Sequence, residues 1–129
     1  MADEWKDKLT LEQYMVLRKK RTEAPGSGSL LHNHDTGEYM CAACGSLLFY
    51  SESKYDTQTP GLIGWPSFDE AANNDHLRLV EDRSDGMHRV EVVCKKCESH
   101  LGHIFPDSES PTGKHYCINS LALDFKPKD

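Results

Sequence analysis

Two Cys-x-x-Cys pairs, Cys41-Ala42-Ala43-Cys44 and Cys94-Lys95-Lys96-Cys97, constrain the fold of this chain more than any other feature. Each pair can hold two thiolates on one tight turn, and four thiolates complete the closed tetrahedral shell of structural zinc. The other use of such a pair is a redox dithiol. Two pairs of identical spacing favour joint metal binding. One zinc per chain is therefore expected on Cys41, Cys44, Cys94 and Cys97, with Gly45 supplying backbone freedom after the first pair. A closed site has no open coordination position, so the metal would be structural. It would also add folding free energy to a chain of 129 residues, which fits one domain with a modest core. A single domain spanning residues 1–129 is expected.

The fifth cysteine is then left over. Cys117 sits in Lys114-His115-Tyr116-Cys117-Ile118-Asn119-Ser120, downstream of Ser99-His100-Leu101-Gly102-His103. A nucleophilic cysteine needs a lowered pKa or a nearby base, and groups that steady developing charge. His100, His103, His115 and Asn119 are of the right types. On a strand, Asn119 would point the same way as Cys117 and could donate to a thiolate. Taken alone, a cysteine between Tyr and Ile is more often a small buried hydrophobe. Trp65 and Phe68, in the loop Gly64-Trp65-Pro66-Ser67-Phe68, are open to the same two readings, core or ligand wall.

The charge balance argues about partners. With 15 Lys and Arg against 21 Asp and Glu, the net charge is −6 with His neutral. Non-specific nucleic-acid binding is driven by phosphate neutralisation and favours a basic surface. A nucleic-acid zinc ribbon therefore conflicts with the composition. The charged start, Met1 to Lys8, has no apolar core of a signal peptide, and no stretch approaches the ~20 apolar residues of a membrane span. The cytoplasm, where thiols stay reduced, is the expected compartment. No membrane or nucleic-acid partner is expected, and the chain is expected to act as a monomer.

Local patterns suggest a mainly β chain with one N-terminal helix. Thr10 and Gln13 form a T-x-x-Q capping box, and Leu11, Tyr14 and Met15 give an apolar face, so a helix is expected over 10–21. Arg18-Lys19-Lys20-Arg21 suits the negative end of its dipole. Pro25-Gly26-Ser27-Gly28 then breaks the pattern. Strands are expected at 38–41, 47–50, 77–81, 88–93, 104–105, 116–118 and 121–125. Ser84-Asp85-Gly86 is a hairpin signal. Val90 and Val92 alternate with Arg89 and Glu91, which implies one packed and one wet face. Residues 126–129 read as a frayed end.

One ordered series of motifs carries a resemblance. Cys-x-x-Cys, Gly-Trp-Pro-Ser-Phe, Cys-x-x-Cys, Ser-His-Leu-Gly-His-Ile-Phe and Pro-Thr-Gly-x-x-Tyr-Cys-Ile-Asn-Ser follow one another from about Leu9 to Phe125. In this the chain closely resembles the B-type methionine sulfoxide reductases, which act on methionine-R-sulfoxide. The resemblance implies two antiparallel sheets with peripheral helices and a zinc site away from the reaction centre. It implies Cys117 as the nucleophile at the sulfoxide sulfur, with His103 and His100 at the oxygen. Trp65 would seat the methyl group, with Phe68 and His115 as further substrate contacts. Asn119 would steady the thiolate or the oxygen. It also implies methionine-R-sulfoxide in proteins as substrate, and thioredoxin or another thiol as reductant.

The chain departs from the family pattern at two informative positions. Many members carry a recycling cysteine directly before Gly-Trp-Pro-Ser-Phe, where this chain has Ile63. The common pattern has Arg two positions before the nucleophile, where this chain has His115; Arg stays charged, whereas His titrates near neutral pH. The 25–28 loop also lacks the aromatic residue often found nearby. A non-enzymatic zinc module of the same architecture would need the metal cysteines but not Cys117, His103 and Trp65 together.

Overall fold

The computed structural model describes residues 8–59, 63–83, 86 and 88–128. Among these residues are the α-helix α1 (Leu11–Leu17), short 3-10 turns and eight strands: β1 (Gly37–Cys41), β2 (Leu47–Tyr50), β3 (Ser67–Phe68), β4 (Leu77–Asp82), β5 (Arg89–Cys94), β6 (His100–Pro106), β7 (Lys114–Ile118) and β8 (Leu123–Pro127). The strands form a three-stranded sheet in the order β2-β1-β8 and a five-stranded sheet in the order β3-β7-β6-β5-β4. Every pairing is antiparallel.

Aromatic side chains join the two sheets. Phe49 of β2 stacks on Phe68 of β3 with ring centroids 4.3 Å apart, and Tyr39 of β1 meets the same ring edge-on at 5.0 Å. Leu48, Val92, Leu101 and Ile118 are buried in the same core cluster. Helix α1 closes one side and contacts the 3-10 turn Ser120–Ala122. Its N-terminus carries the expected capping box: Gln13 N–H donates to Thr10 Oγ1, and Thr10 N–H donates to Gln13 Oε1, each at 3.1 Å.

The helix is shorter than its sequence suggests. It ends at Leu17, with Arg18 as C-cap. Beyond Leu17 the run Arg18 to Arg21 offers no apolar residue to bury. Arg18 instead donates to Cys97 O at 2.7 Å, and Lys20 turns the chain with φ 60°.

The C-terminal segment also differs from the expected frayed end. Lys126 and Pro127 are not frayed: they pair with Glu38 and Gly37 at the end of β8, and Lys128 N–H donates to Thr36 O. Residues 120–122 are a 3-10 turn rather than strand. In β5 the expected wet face is covered, since Glu91 is buried while Val90 is exposed. The β4–β5 hairpin is present in register Asp82↔Arg89. Ser84 and Asp85 of its turn, Pro60 and Gly61 of the Trp65 loop, and Met1 to Asp7 lie outside the described residues.

Strand β6 is longer than the Ile104-Phe105 pair expected. Gly102 lets it run close to β7: a Cβ there would collide with the Cys117 carbonyl oxygen and lie 2.9 Å from Ile118 Cα. A glycine inside a strand often marks such a backbone approach.

Candidate active site and metal centre

The five-stranded sheet lines up the chemistry in one cross-strand row. Glu91 of β5 pairs with His103 of β6, His103 pairs with Cys117 of β7, and Cys117 pairs with Ser67 of β3. Directly paired residues project to the same face of a sheet. On that face a cleft of about 100 Å³ opens, lined by Cys117, His103, Trp65, Phe105, Asn119, Arg89, Gly102 and Thr22.

Each polar wall has a defined support. His103 Nε2 lies 2.7 Å from Asp82 Oδ2. A carboxylate only accepts, so the neutral ring carries its proton on Nε2 and keeps a lone pair at Nδ1. Burial lowers the His103 pKa from its usual range, against the raising effect of Asp82. His100 sits beside it, ring centroids 5.4 Å apart, with Nδ1 2.7 Å from Glu91 Oε2. Its pKa is also lowered by burial, and its Nε2 is buried without a partner among the described residues. His100 does not line the cleft; it stands behind His103.

Asn119 lines the cleft, but much of its amide is committed. Nδ2 donates to Leu101 O at 3.0 Å, and Oδ1 accepts from Glu23 N–H at 3.0 Å. Trp65 leans on the same segment, its Nε1–H donating to Glu23 O at 3.0 Å. Glu23 therefore ties the aromatic wall to the Asn119 wall, a role with no local sequence signal. Burial pushes the Cys117 thiol up to about 12, and the Glu23 carboxylate adds to this. At neutral pH the resting site holds a thiol and a neutral imidazole.

Two expected substrate contacts are elsewhere. Phe68 is 0 % exposed and belongs to the inter-sheet aromatic layer. The second aromatic of the cleft is Phe105, two residues after His103 and on the same face. His115 is also fully buried, with Nδ1 3.0 Å from Asp107 Oδ2 and its ring edge-on to Tyr55. Tyr55, Thr57 and Thr59 hydroxyls donate to the same carboxylate. The His115 bond, foremost among these contacts, holds the Asp107 carboxyl well below the usual range. His115 shares the sheet face of Cys117 but is packed under Tyr55 and Asp107, so it anchors β7 beside the cleft rather than lining it.

The four remaining cysteines converge. Their sulfurs all lie within 4.8 Å of one another. Cys41 Sγ is 3.7 Å from Cys97 Sγ, and Cys44 Sγ is 3.6 Å from Cys94 Sγ. A zinc–sulfur bond of about 2.3 Å implies a tetrahedron edge of about 3.8 Å, so the set fits that metal. The two turns are built alike. Gly45 N–H donates to Cys41 O and Glu98 N–H to Cys94 O, both at 2.8 Å, with φ 80° at Gly45 and 62° at Glu98. The freedom expected of Gly45 is thus required twice, the second time of a residue with a side chain.

Residues 9–127 match the SelR domain. The chain is 54 % identical over 127 residues to the peptide methionine sulfoxide reductase MsrB of Methanosarcina barkeri, covering 98 % of this chain and 87 % of that protein. It is 49 % identical over 126 residues to the MsrB of Bradyrhizobium diazoefficiens, covering 98 % and 88 %. It is 52 % identical over 131 residues to the rat mitochondrial methionine-R-sulfoxide reductase B2, covering 96 % and 73 %. The chain belongs to the SelR family, the B-type methionine sulfoxide reductases.

Within the SelR framework the two departures can now be located. Ile63 is 54 % exposed and lines a groove that shares Trp65 with the cleft. His115 is bonded to Asp107, two residues before Cys117 on β7. Among the described residues no helix is long and apolar enough to cross a membrane.

Proposed function

We propose that the chain reduces methionine-R-sulfoxide in proteins to methionine, with Cys117 as the oxygen acceptor and His103 as the proton relay. The observation that carries this is the register pair His103↔Cys117 in a cleft walled by Trp65 and Phe105. The aromatic walls suit the methyl group. Asp82 leaves the lone pair of His103 at Nδ1, where it can take the thiol proton.

The balance of the step suits a protonated thiol. As Sγ takes the oxygen, the thiol proton passes through His103 to that oxygen, the sulfoxide S–O bond breaks, and methionine leaves as a neutral thioether. Cys117 ends as a sulfenic acid. No outside proton is needed, so a resting thiol pKa of about 12 is no obstacle. Arg89 and the free N–H of Asn119 Nδ2 line the same cleft and can stabilise the oxygen as charge builds on it.

Regeneration needs an external thiol. The chain has five cysteines, and four form the metal set. A reductant thiol attacks the sulfenic acid, releases water and forms a mixed disulfide with Cys117. A second thiol then cleaves that disulfide. Thioredoxin or a small thiol fits this role, in the reducing cytoplasm. Cys41, Cys44, Cys94 and Cys97 would hold one structural zinc, which closes the two turns and leaves no open position for substrate.

The proposal is tested with peptides carrying each sulfoxide epimer and dithiothreitol as reductant. Turnover of the R epimer alone is expected, because methyl and oxygen sites lie on fixed sides of Cys117. Equal turnover of both epimers contradicts the assignment of Trp65 and His103.

A further inference from the structure

Lys20 adopts a backbone conformation that its residue type rarely takes. Its φ of 60° lies in the left-handed region, where a residue with a side chain is strained. Such strain persists where surrounding contacts over-determine it. Here the turn after α1 sets the ammonium between two acids: Nζ lies 3.4 Å from Asp82 Oδ1 and 3.1 Å from Glu91 Oε1. The other oxygen of each carboxylate holds a histidine, Asp82 Oδ2 on His103 Nε2 and Glu91 Oε2 on His100 Nδ1, both at 2.7 Å.

We infer that Lys20 is a positioning residue for the sulfoxide site, acting through Asp82 and Glu91 to hold His103 and His100 in their working orientation and tautomer. Asp82 and Glu91 are 3 % and 7 % exposed and lie on adjacent strands. Two buried anions so close are costly unless cations offset them. Lys20 reaches both, and Arg89 of β5 lies 3.6 Å from Asp82 Oδ2. Two cations against two anions leave both imidazoles neutral, each donating to its acid.

The charges that face the rings come from four elements. His100 meets Glu91 of β5, His103 of β6 and Lys20; His103 meets Asp82 of β4 with Arg89 and Glu91 of β5. Cys117 of β7 lies across from His103, with Glu23 behind it. Removing the ammonium uncovers negative charge, which recruits a proton to the nearest imidazole. It also frees the acids to rotate, so the orientation and tautomer of His103 are no longer fixed. The Lys20 side chain is 43 % exposed, so its replacement leaves the core in place.

The test uses zinc-loaded full-length Lys20→Met and Lys20→Arg. Ring-nitrogen NMR follows His100 and His103 across pH, and kinetics use a methionine-R-sulfoxide peptide with dithiothreitol. In Lys20→Met the His100 titration should move to higher pH, and kcat should fall by roughly tenfold or more while KM changes little. Lys20→Arg should restore both, and thermal unfolding of each variant reports retained structure. An unmoved titration, a wild-type kcat in Lys20→Met, or an equal loss in Lys20→Arg overturns the inference. The kinetic arm rests on the proposed reaction, whereas the ring titration does not. A wild-type chain inert toward the peptide would sink that reaction and leave the titration to decide the role of Lys20.

Discussion

His103 and Cys117 stand opposite one another across β6 and β7, and Asp82 fixes the far nitrogen of the imidazole at 2.7 Å. An acid, an imidazole and a sulfur thus lie in sequence across β4, β6 and β7. Asp82→Asn keeps the shape but lets the ring take its other tautomer. We expect kcat to fall by ~10²–10⁴-fold with KM little changed. Single-turnover formation of methionine measures this, and an unaltered rate would remove Asp82 from the relay.

Phe68 and Phe105 should separate stability from binding. Phe68→Ala empties a fully buried, stacked position and should cost ~3–5 kcal/mol. Phe105→Ala should leave most of the stability and raise KM for the sulfoxide peptide. Denaturant unfolding beside steady-state kinetics distinguishes them. A Phe68→Ala enzyme with native stability would place that ring in the cleft after all.

Gly102→Ala should be severely disruptive. The added methyl meets β7 backbone rather than a movable side chain, at Cys117 O and Ile118 Cα. Destabilisation of ~3 kcal/mol or more is expected, together with loss of activity. Crystals showing the β6–β7 ladder intact around Ala would contradict this.

Acid should loosen the fold before it touches ordinary carboxylates. His100, His103 and His115 all have pKa values lowered by burial. The unfolded chain therefore binds more protons, so stability present above about pH 6.5 is lost as pH falls toward the folded-state values. The thermal midpoint should decline from about pH 7 to 5. A flat midpoint over that range would contradict buried, neutral rings.

Removal of a metal ligand should unfold rather than merely inactivate. Cys97→Ser breaks a set whose sulfurs lie within 4.8 Å of one another. Zinc content by elemental analysis should fall, and the unfolding midpoint should fall with it. A metal-free variant of undiminished stability would overturn the structural role of the ion.

What the sequence made legible follows the range of each interaction. Each Cys-x-x-Cys turn is local, and the identical spacing marks the two as one metal set, although the fold has to bring them together from two sheets. The capping box of α1 is local too, but its end is not: Arg18 and Lys20 find partners at Cys97, Asp82 and Glu91, far along the chain. Asp82 and Glu91 carry no local signal, because strand register across the sheet, rather than any nearby motif, brings them to the histidines. Phe68 is one step of strand parity away from the cleft face. Ser67 pairs with Cys117 and Phe68 with Tyr116, so adjacent residues of β3 fall on opposite faces. The neighbours of Cys117 fit a buried thiol as well as a reactive one, and only the whole ordered series of motifs distinguishes it.

The central claim is that oxygen passes to Cys117 and stays there until an outside thiol removes it. Intact mass of the zinc-loaded chain, after one equivalent of methionine-R-sulfoxide peptide and no reductant, tests it most directly. The expected result is a gain of one oxygen atom, a sulfenic-acid probe captured at Cys117, and retained zinc. A disulfide joining Cys117 to Cys41, Cys44, Cys94 or Cys97, with the metal released, would contradict it.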